Sequence, residues 1–356
     1  MSKVVVAMSG GVDSSAVAAL MVEAGHDVTG IHLRLADAHG EAADGRVHGC
    51  CGLTDADDAR RVAQVLDIPF YAWSFKGLFA ERVVDDLVSS YERGETPNPC
   101  VRCNEQIKFG ALLERAAQLG FDAVATGHYA RRTADGGTAR LFRGIDGAKD
   151  QSYVLARTTK EQLQMAWFPL GDMVKSETRK IAERAGLRTA NKPESYDICF
   201  IPDGDTAGFV ERSLGGPRPG RIVDPAGNEL GEHGGVHRFT IGQRRGLGVG
   251  SHERLHVLEL DPATATVTVG PPNLLTRRRI VARDPVWTSG EPRGFDQIQV
   301  RAHGGIAAVA AWTISEEGRL EIELEDSLKG VSAGQLVACY DGDEVVAGAT
   351  IDGPAS

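Results

Sequence analysis

The stretch Ser9-Gly10-Gly11-Val12-Asp13-Ser14 decides the fold class. It lies between a short apolar run, Val4 to Met8, and a helical stripe of Val17, Leu20, Met21 and Ala24 that Gly25 stops, so it reads as the turn of a strand-turn-helix unit. Paired glycines let the backbone approach a phosphate, Ser9 and Ser14 add hydroxyl donors, and the N-terminus of the following helix favours negative charge. The stretch is an anion cradle. It lacks the lysine of a Walker A loop, which removes kinase and GTPase readings. A plain turn explains two glycines and an aspartate, but not both serines in this setting.

Working outward, Val28 to Leu33 reads as a second strand, Ala59, Val62, Ala63 and Leu66 as a helix stripe, and Ile68 to Trp73 as a third strand. A helix from about Glu105 to Leu119, capped by Asn104, precedes a strand at Ala123 to Thr126. Repeated βα units predict an α/β domain with a mainly parallel sheet covered on both faces, taken here as residues 1–205. From about 206 the texture turns to Gly, Pro and Arg, as in Gly215-Gly216-Pro217-Arg218-Pro219-Gly220-Arg221, and periodicity is poor. Residues 206–280 hold ten Lys and Arg against seven Asp and Glu, so this segment is +3 while the rest of the chain is -13. Such a local basic surface suits a polyanion, and a solvated, loop-rich linker is the alternative. The middle domain is set at 206–278. Beyond it, Arg279 to Trp287, Gln297 to Ala302, Ala307 to Ile314, Arg319 to Leu324, Leu336 to Tyr340 and Val345 to Ile351 alternate in short runs. They predict a C-terminal antiparallel β-barrel over 279–356.

The 356 residues carry 49 acidic against 39 basic side chains, a net charge of -10, with 42% hydrophobic and 25% charged residues. That is ordinary globular composition, neither fibrous nor disordered. The purest apolar runs, Ala16 to Val22 and Ile306 to Trp312, fall well below the ~20 residues that span a bilayer. No leader-like segment precedes the first strand, so a cytoplasmic protein without membrane contact is expected. Six cysteines (Cys50, Cys51, Cys100, Cys103, Cys199 and Cys339) are too sparse for a disulfide scaffold and are read as redox, nucleophilic or metal-binding thiols. His48, Cys50 and Cys51 suit zinc poorly, because adjacent cysteines rarely chelate one ion well. Gly234-Gly235 argues against a helix that would aim His233 and His237 at one metal, and Cys339 in an apolar strand reads as a core residue.

A second constellation is Thr96-Pro97-Asn98-Pro99-Cys100-Val101-Arg102-Cys103-Asn104, placed before a helix. Prolines stiffen the loop, and a cysteine at a helix entrance has its thiolate stabilised by exposed N–H groups, which points to Cys103 as the more acidic thiol. Cys199 lies in Ser195-Tyr196-Asp197-Ile198-Cys199-Phe200-Ile201.

The hexapeptide at 9–14 resembles the PP-loop of the ATP pyrophosphatase superfamily, which cleaves ATP between its α and β phosphates and adenylates a substrate oxygen. GMP, NAD and argininosuccinate synthetases and tRNA lysidine synthetase are similar there. The resemblance sharpens to the tRNA-specific 2-thiouridylase family on six motifs in order: 9–14, 96–108, Ala125-Thr126-Gly127-His128-Tyr129, Lys149-Asp150-Gln151-Ser152-Tyr153, Ile198-Cys199-Phe200-Ile201 and Gly242-Gln243-Arg244-Arg245-Gly246-Leu247-Gly248. In the barrel Gly334-Gln335 is the clearest point.

That resemblance implies replacement of the C2 oxygen of the wobble uridine by sulfur in the tRNAs for Lys, Glu and Gln, using ATP with Mg2+. It places Ala7, Met8, Ser9, Gly10, Gly11, Val12, Asp13 and Ser14 on the ATP phosphates, Asp13 among the catalytic residues, and Leu33 and Gly127 beside the adenosine. It places Asn98, Pro99 and Cys100 near the target base, and His128, Lys149, Asp150, Gln151 and Gln335 on the tRNA, with the middle domain also binding tRNA. Cys199 would carry a persulfide and Cys103 would resolve it through a disulfide; a cysteine desulfurase or sulfur-relay protein would supply the sulfur. The chain departs from the pattern at Cys100, where many members have Asp. Cys100, Cys103 and Cys199 therefore form a three-cysteine set that would suit a [4Fe-4S] cluster with one open iron as an alternative route. Tyr196-Asp197 stands where some members have Thr-Gly, and Arg301-Ala302-His303-Gly304 lacks a Tyr-Arg pair, so no tRNA contact is carried over there. The competing readings are another PP-loop ligase acting on a small metabolite, and a non-catalytic RNA-binding or iron-sulfur regulator.

Overall fold

A computed structural model of the chain describes residues 1–36, 53–135, 137–193, 198–201, 203–250 and 254–353. His48, Cys50, Cys51, Tyr196 and Asp197 lie outside the described residues.

Strand β1 (Lys3–Ala7) turns into helix α1 (Val12–Glu23), followed by β2 (Asp27–Arg34), α2 (Leu53–Val65) and β3 (Phe70–Ser74). Helix α3 (Pro99–Cys103) runs through a π-helical stretch (Asn104–Ala111) into α4 (Leu112–Gln118) and then β4 (Ala123–Ala125). A hairpin, β5 (Ala130–Asp135) and β6 (Thr138–Arg143), comes before the short β7 (Ala166–Trp167) and helix α5 (Lys175–Arg184). Strands β3-β2-β1-β4-β7 make a wholly parallel sheet. Val4, Val5 and Val6 are fully buried at its centre. Their side chains alternate faces: Val5 joins Ile107, Leu112 and Val124, while Val4 and Val6 join Ala16, Val17 and Ile181. An apolar run without alternation of polarity is what a strand covered on both faces requires.

The cysteine-bearing helix begins earlier than its sequence suggests. Asn98 is the cap, its Oδ1 accepting from the N–H groups of Cys100 (3.0 Å) and Val101 (3.3 Å), and Pro99 takes the first helical position. Proline is tolerated there because its missing N–H has no helical partner anyway. Asn104, expected as the cap, is 2% exposed inside the helical run and donates from Nδ2 to the Val154 carbonyl (3.1 Å).

The middle segment is a sheet rather than a loop-rich linker. After a helix at Thr206–Ser213, β8 (Gly220–Val223), β9 (Glu229–His233), β10 (His256–Asp261) and β11 (Thr266–Gly270) pair in the order β10-β11-β8-β9. They close over Ile222, Phe239, Val257, Val267 and Val269. Strands this short between long turns leave too few alternations for a period to show.

All six expected C-terminal strands form: β12 (Thr276–Trp287), β13 (Gln297–Gln299), β14 (Ile306–Ile314), β15 (Leu320–Lys329), β16 (Leu336–Asp341) and β17 (Glu344–Ile351). They pair antiparallel as β12-β15-β14-β13-β16-β17, and β17 closes onto β12. Cys339 is fully buried in the barrel core, and burial pushes its thiol pKa up. The β5–β6 hairpin joins this sheet through Leu141↔Val345 and Phe142↔Glu344. Among the described residues, no helix is long and apolar enough to cross a membrane.

Candidate functional site

Loop 8–11 leaves the carboxyl end of β1, where ligands of open parallel sheets bind. Gly10 has φ +79, and a Cβ there would stand 2.2 Å from the Asp55 carbonyl oxygen, so both conformation and space demand glycine. Ser14 Oγ accepts from the Ser9 N–H (3.2 Å) and lies 3.3 Å from Ser9 Oγ, while Ser15 Oγ donates to the Gly11 carbonyl (2.8 Å). The loop is thus braced by its own serines. Gly11 caps α1 without a side-chain bond, which leaves first-turn N–H groups for an anion. Ala7 ends β1, and Met8 and Val12 are buried beneath the turn. Leu33 lies on the neighbouring β2 at 9% exposure. Gly127, just past β4, abuts the loop directly: a Cβ would come within 2.9 Å of Asp13 Cβ and 3.1 Å of the Ser14 nitrogen.

The fold brings two lysines that sequence reading did not single out. Lys175 Nζ, at the start of α5, bonds both Asp13 carboxylate oxygens (2.7 and 2.8 Å). The Tyr129 hydroxyl donates to the same carboxylate (2.8 Å) and sits 3.0 Å from Thr178 Oγ1. Burial, and then the Asp13 charge, hold the Tyr129 pKa far above its usual value. Lys192 Nζ donates to the Gly10 carbonyl (3.0 Å), Asp55 (2.6 Å) and Asp58 (2.7 Å). Burial works against its charge, but the bonds to Asp55 and Asp58 win and raise its pKa. No local motif marks either lysine.

The cysteine helix meets the phosphate loop through the Gly127–His128 turn. His128 is 7% exposed, with Nδ1 2.8 Å from Thr126 Oγ1 and its ring 5.8 Å from that of Phe109 on the helical run after Cys103. Burial foremost, and then the Lys108 charge, lower its pKa well below the usual range, so the imidazole is neutral at pH 7. Cys100 is half-buried at the second helical position, and Cys103 is 7% exposed one turn further in. The position at the helix entrance, argued above for Cys103, therefore belongs to Cys100. Cys199 is half-buried. Its neighbour Phe200 stacks edge-on against Phe79 (5.2 Å) and packs on the apolar cluster that contains Val101 and Cys103. Among the described residues, no group of three or more His, Cys, Asp or Glu side chains is placed to hold a metal ion.

Of the remaining expected contacts, Asp150 accepts from the N–H groups of Gly144 (2.9 Å) and Ser152 (3.1 Å) and from Ser152 Oγ (2.8 Å). Gln151 Oε1 accepts from the Tyr129 N–H (3.0 Å). These two organise their own turn and tie it to the strand end that bears His128. Lys149, half-buried, shares that turn, its N–H donating to the Asp146 carbonyl (2.9 Å). Gln335 follows the barrel loop that touches Thr96, where the Thr96 N–H donates to the Ala333 carbonyl (2.8 Å).

Three family models match the chain in succession. They are described as tRNA methyl transferase HUP domain (residues 2–203), tRNA methyl transferase PRC-barrel domain (207–271) and Aminomethyltransferase beta-barrel domain (277–351). A relative from Mycobacterium sp. (strain JLS), named tRNA-specific 2-thiouridylase MnmA, is 54% identical over 99% of this chain and 99% of its own. One of the same name from Cutibacterium acnes is 50% identical over 99% of this chain and 96% of its own. Among solved structures, a 4-thiouridine synthetase–RNA complex with bound ATP has a TM-score of 0.36 at 15% identity, covering 57% of this chain and 46% of that one. NMN synthetase from Francisella tularensis has a TM-score of 0.35 at 16% identity, covering 60% and 77%. Likeness at that level bears on no functional argument.

Proposed function

The chain belongs to the tRNA-specific 2-thiouridylase family, and from that premise we propose that it is an ATP-dependent sulfurtransferase that 2-thiolates the wobble uridine of the tRNAs for Lys, Glu and Gln. One observation carries the reading: of two consecutive residues at the end of β4, Gly127 abuts the phosphate loop and His128 abuts the cysteine-bearing helical run. Adenylation and sulfur delivery would thus share one rim of the sheet. A methyl transfer, as the matching family models are titled, has use for neither feature.

The C2 carbonyl oxygen of uridine is a poor leaving group. Attack by that oxygen on the α-phosphorus of ATP releases pyrophosphate and leaves an adenylate, whose departure as AMP costs far less. The residues 7–14 would hold the phosphates, and Lys175 would follow the developing charge while Tyr129 keeps Asp13 in place. Mg2+ fits as a companion of the nucleotide, since that ion is commonly held by phosphate oxygens and one or two carboxylates. In the persulfide route the terminal sulfur on Cys199 attacks C2. The Cys103 thiolate then attacks the Cys199 sulfur: the persulfide S–S bond breaks as a Cys103–Cys199 disulfide forms, AMP leaves C2, the transferred sulfur stays on the base, and an external thiol reductant restores both cysteines. The shared apolar cluster beside Cys103 and Phe200 supports this pairing. His128, neutral and buried, would act on tRNA only by shaping the rim. Sulfur would come from a cysteine desulfurase or a relay protein.

The test is ATP turnover with unmodified tRNA. AMP and pyrophosphate should appear in a tRNA-stimulated reaction, with 2-thiouridine detected by nucleoside mass spectrometry once a desulfurase is present. ADP as sole product, or stimulation by a small metabolite instead of tRNA, would reject the reading. Strict dependence on iron would replace the persulfide route by the cluster route.

A further inference from the structure

Barrel strand β12 is broken at Arg283–Asp284. Its register with β17 slips between Arg283 and Val286, and Asp284 has φ +53, a region that non-glycine residues rarely adopt. A bulge bends a strand and re-aims what it carries. Here the two adjacent residues are aimed at the segment bearing Cys100 and Cys103. Arg283 donates from Nη2 to Glu95 Oε1 (2.9 Å) and from Nη1 to Asp352 Oδ1 (2.9 Å). The Asp284 carbonyl accepts from Arg157 Nη1 (2.8 Å), and the other two nitrogens of Arg157 hold both Glu105 carboxylate oxygens (3.1 and 3.0 Å). The side chains of Arg157 and Glu105 are only 8% and 13% exposed.

Glu95 stands directly before Thr96-Pro97-Asn98, and Glu105 stands two residues after Cys103. The bulge therefore grips the cysteine segment at both ends. A third contact lies beside the first: Gly334, with φ +81, approaches so closely that a Cβ would stand 2.7 Å from Glu95 Cβ.

We propose that the β12 bulge is a positioning element for sulfur transfer, with Arg283 acting through Glu95, and the Asp284 carbonyl acting through Arg157 and Glu105, to set where Cys100 and Cys103 stand against the phosphate loop. The proposal rests on the sulfurtransferase reading above. Its consequence is specific. Adenylation happens at the phosphate loop and does not involve the thiols, whereas sulfur transfer needs them aligned with the base. A loosened grip should thus leave the adenylate to water, whose attack at C2 expels AMP and restores the unmodified uridine, so that AMP forms without a matching yield of 2-thiouridine.

The experiment uses the full-length chain with Arg283→Met, Glu95→Gln, the double variant and Arg283→Lys, supplied with ATP, unmodified tRNA, a cysteine desulfurase and cysteine. The measured quantity is 2-thiouridine formed per AMP released, a ratio that the fraction of folded enzyme does not change. It should fall roughly tenfold in each single variant, as small misplacements of reacting groups do. The double should fall no further than the worse single, because one contact is removed twice, and Arg283→Lys should recover part of the ratio. An unchanged ratio in the single variants, or multiplied losses in the double, overturns the proposal. A second readout needs no activity: alkylation of Cys100 and Cys103 by iodoacetamide without tRNA, followed by peptide mass spectrometry, should speed up in Arg283→Met. Equal rates overturn the proposal. Wild-type enzyme that releases AMP but makes no 2-thiouridine would defeat the functional reading instead, and alkylation alone would then decide the positioning.

Discussion

Lys175 reaches the phosphate loop from 162 residues away and bonds both oxygens of Asp13, which places a cation beside a loop that has no lysine of its own. Lys175→Met is expected to cut tRNA-dependent pyrophosphate release by about 100-fold, the usual cost of one lost donor to developing charge. Its melting temperature should move little, because the Asp13 side chain is 31% exposed and can rehydrate. Turnover within threefold of wild type, an order-of-magnitude bound on a uniform binding effect, would remove Lys175 from the chemistry. Cys103→Ser and Cys199→Ser should each abolish 2-thiouridine in mass spectra while ATP and tRNA still bind, since neither thiol holds a phosphate. His128 makes a stability prediction. Its pKa is lowered by burial, so below about pH 6.5 the unfolded chain binds a proton that the folded one refuses. Stability should therefore fall on acidification, by up to about 1.4 kcal/mol per pH unit from this one group. His128→Asn should flatten the slope between about pH 6.5 and 5.5 in chemical denaturation. Only part of the slope should go, because His233 and His237 are lowered by burial as well.

At the scale of elements, helix α3 depends on its cap. Asn98 Oδ1 satisfies two first-turn N–H groups, those of Cys100 and Val101, and Asn98→Ala should cost about 1 kcal/mol while Asn98→Asp keeps the cap. Hydrogen exchange at Cys100 and Val101 should accelerate in the alanine variant alone. The same element shows why sequence placed the cap six residues late. Asn98 and Asn104 are equally good capping residues, and the choice between them falls to Asn104 being buried against the Val154 carbonyl. The π-helical stretch at Asn104–Ala111 was equally illegible, because its extra residue per turn leaves a 3.6-residue stripe nearly intact over so short a length.

On the scale of the whole molecule, the barrel and the parallel-sheet half share a seam. The Arg143 guanidinium lies 3.6 Å from the Tyr340 ring centroid, Arg143 Nη1 donates to Gln299 Oε1 (2.7 Å), and the Tyr153 hydroxyl donates to the Leu336 carbonyl (2.9 Å). A chain ended before β12 would uncover the β6 edge and these groups together, so residues 130–156 should lose amide protection and the product should associate. Full protection in a monomeric truncated chain would show the seam to be dispensable. The sequence by itself determined the strand-turn-helix around Ser9–Ser14, the parallel order of βα units and the six barrel strands. Those features are written in near neighbours: glycines where the backbone turns back, and apolar residues at a period of two or 3.6. Only the tertiary structure decided that Lys175 and Lys192 face the phosphate loop, that His128 is buried beneath the rim, that β6 extends the barrel and that a bulge in β12 holds the cysteine segment. Each of those depends on charge or hydrogen-bond pairing between residues far apart in the chain, for which local spacing carries no rule.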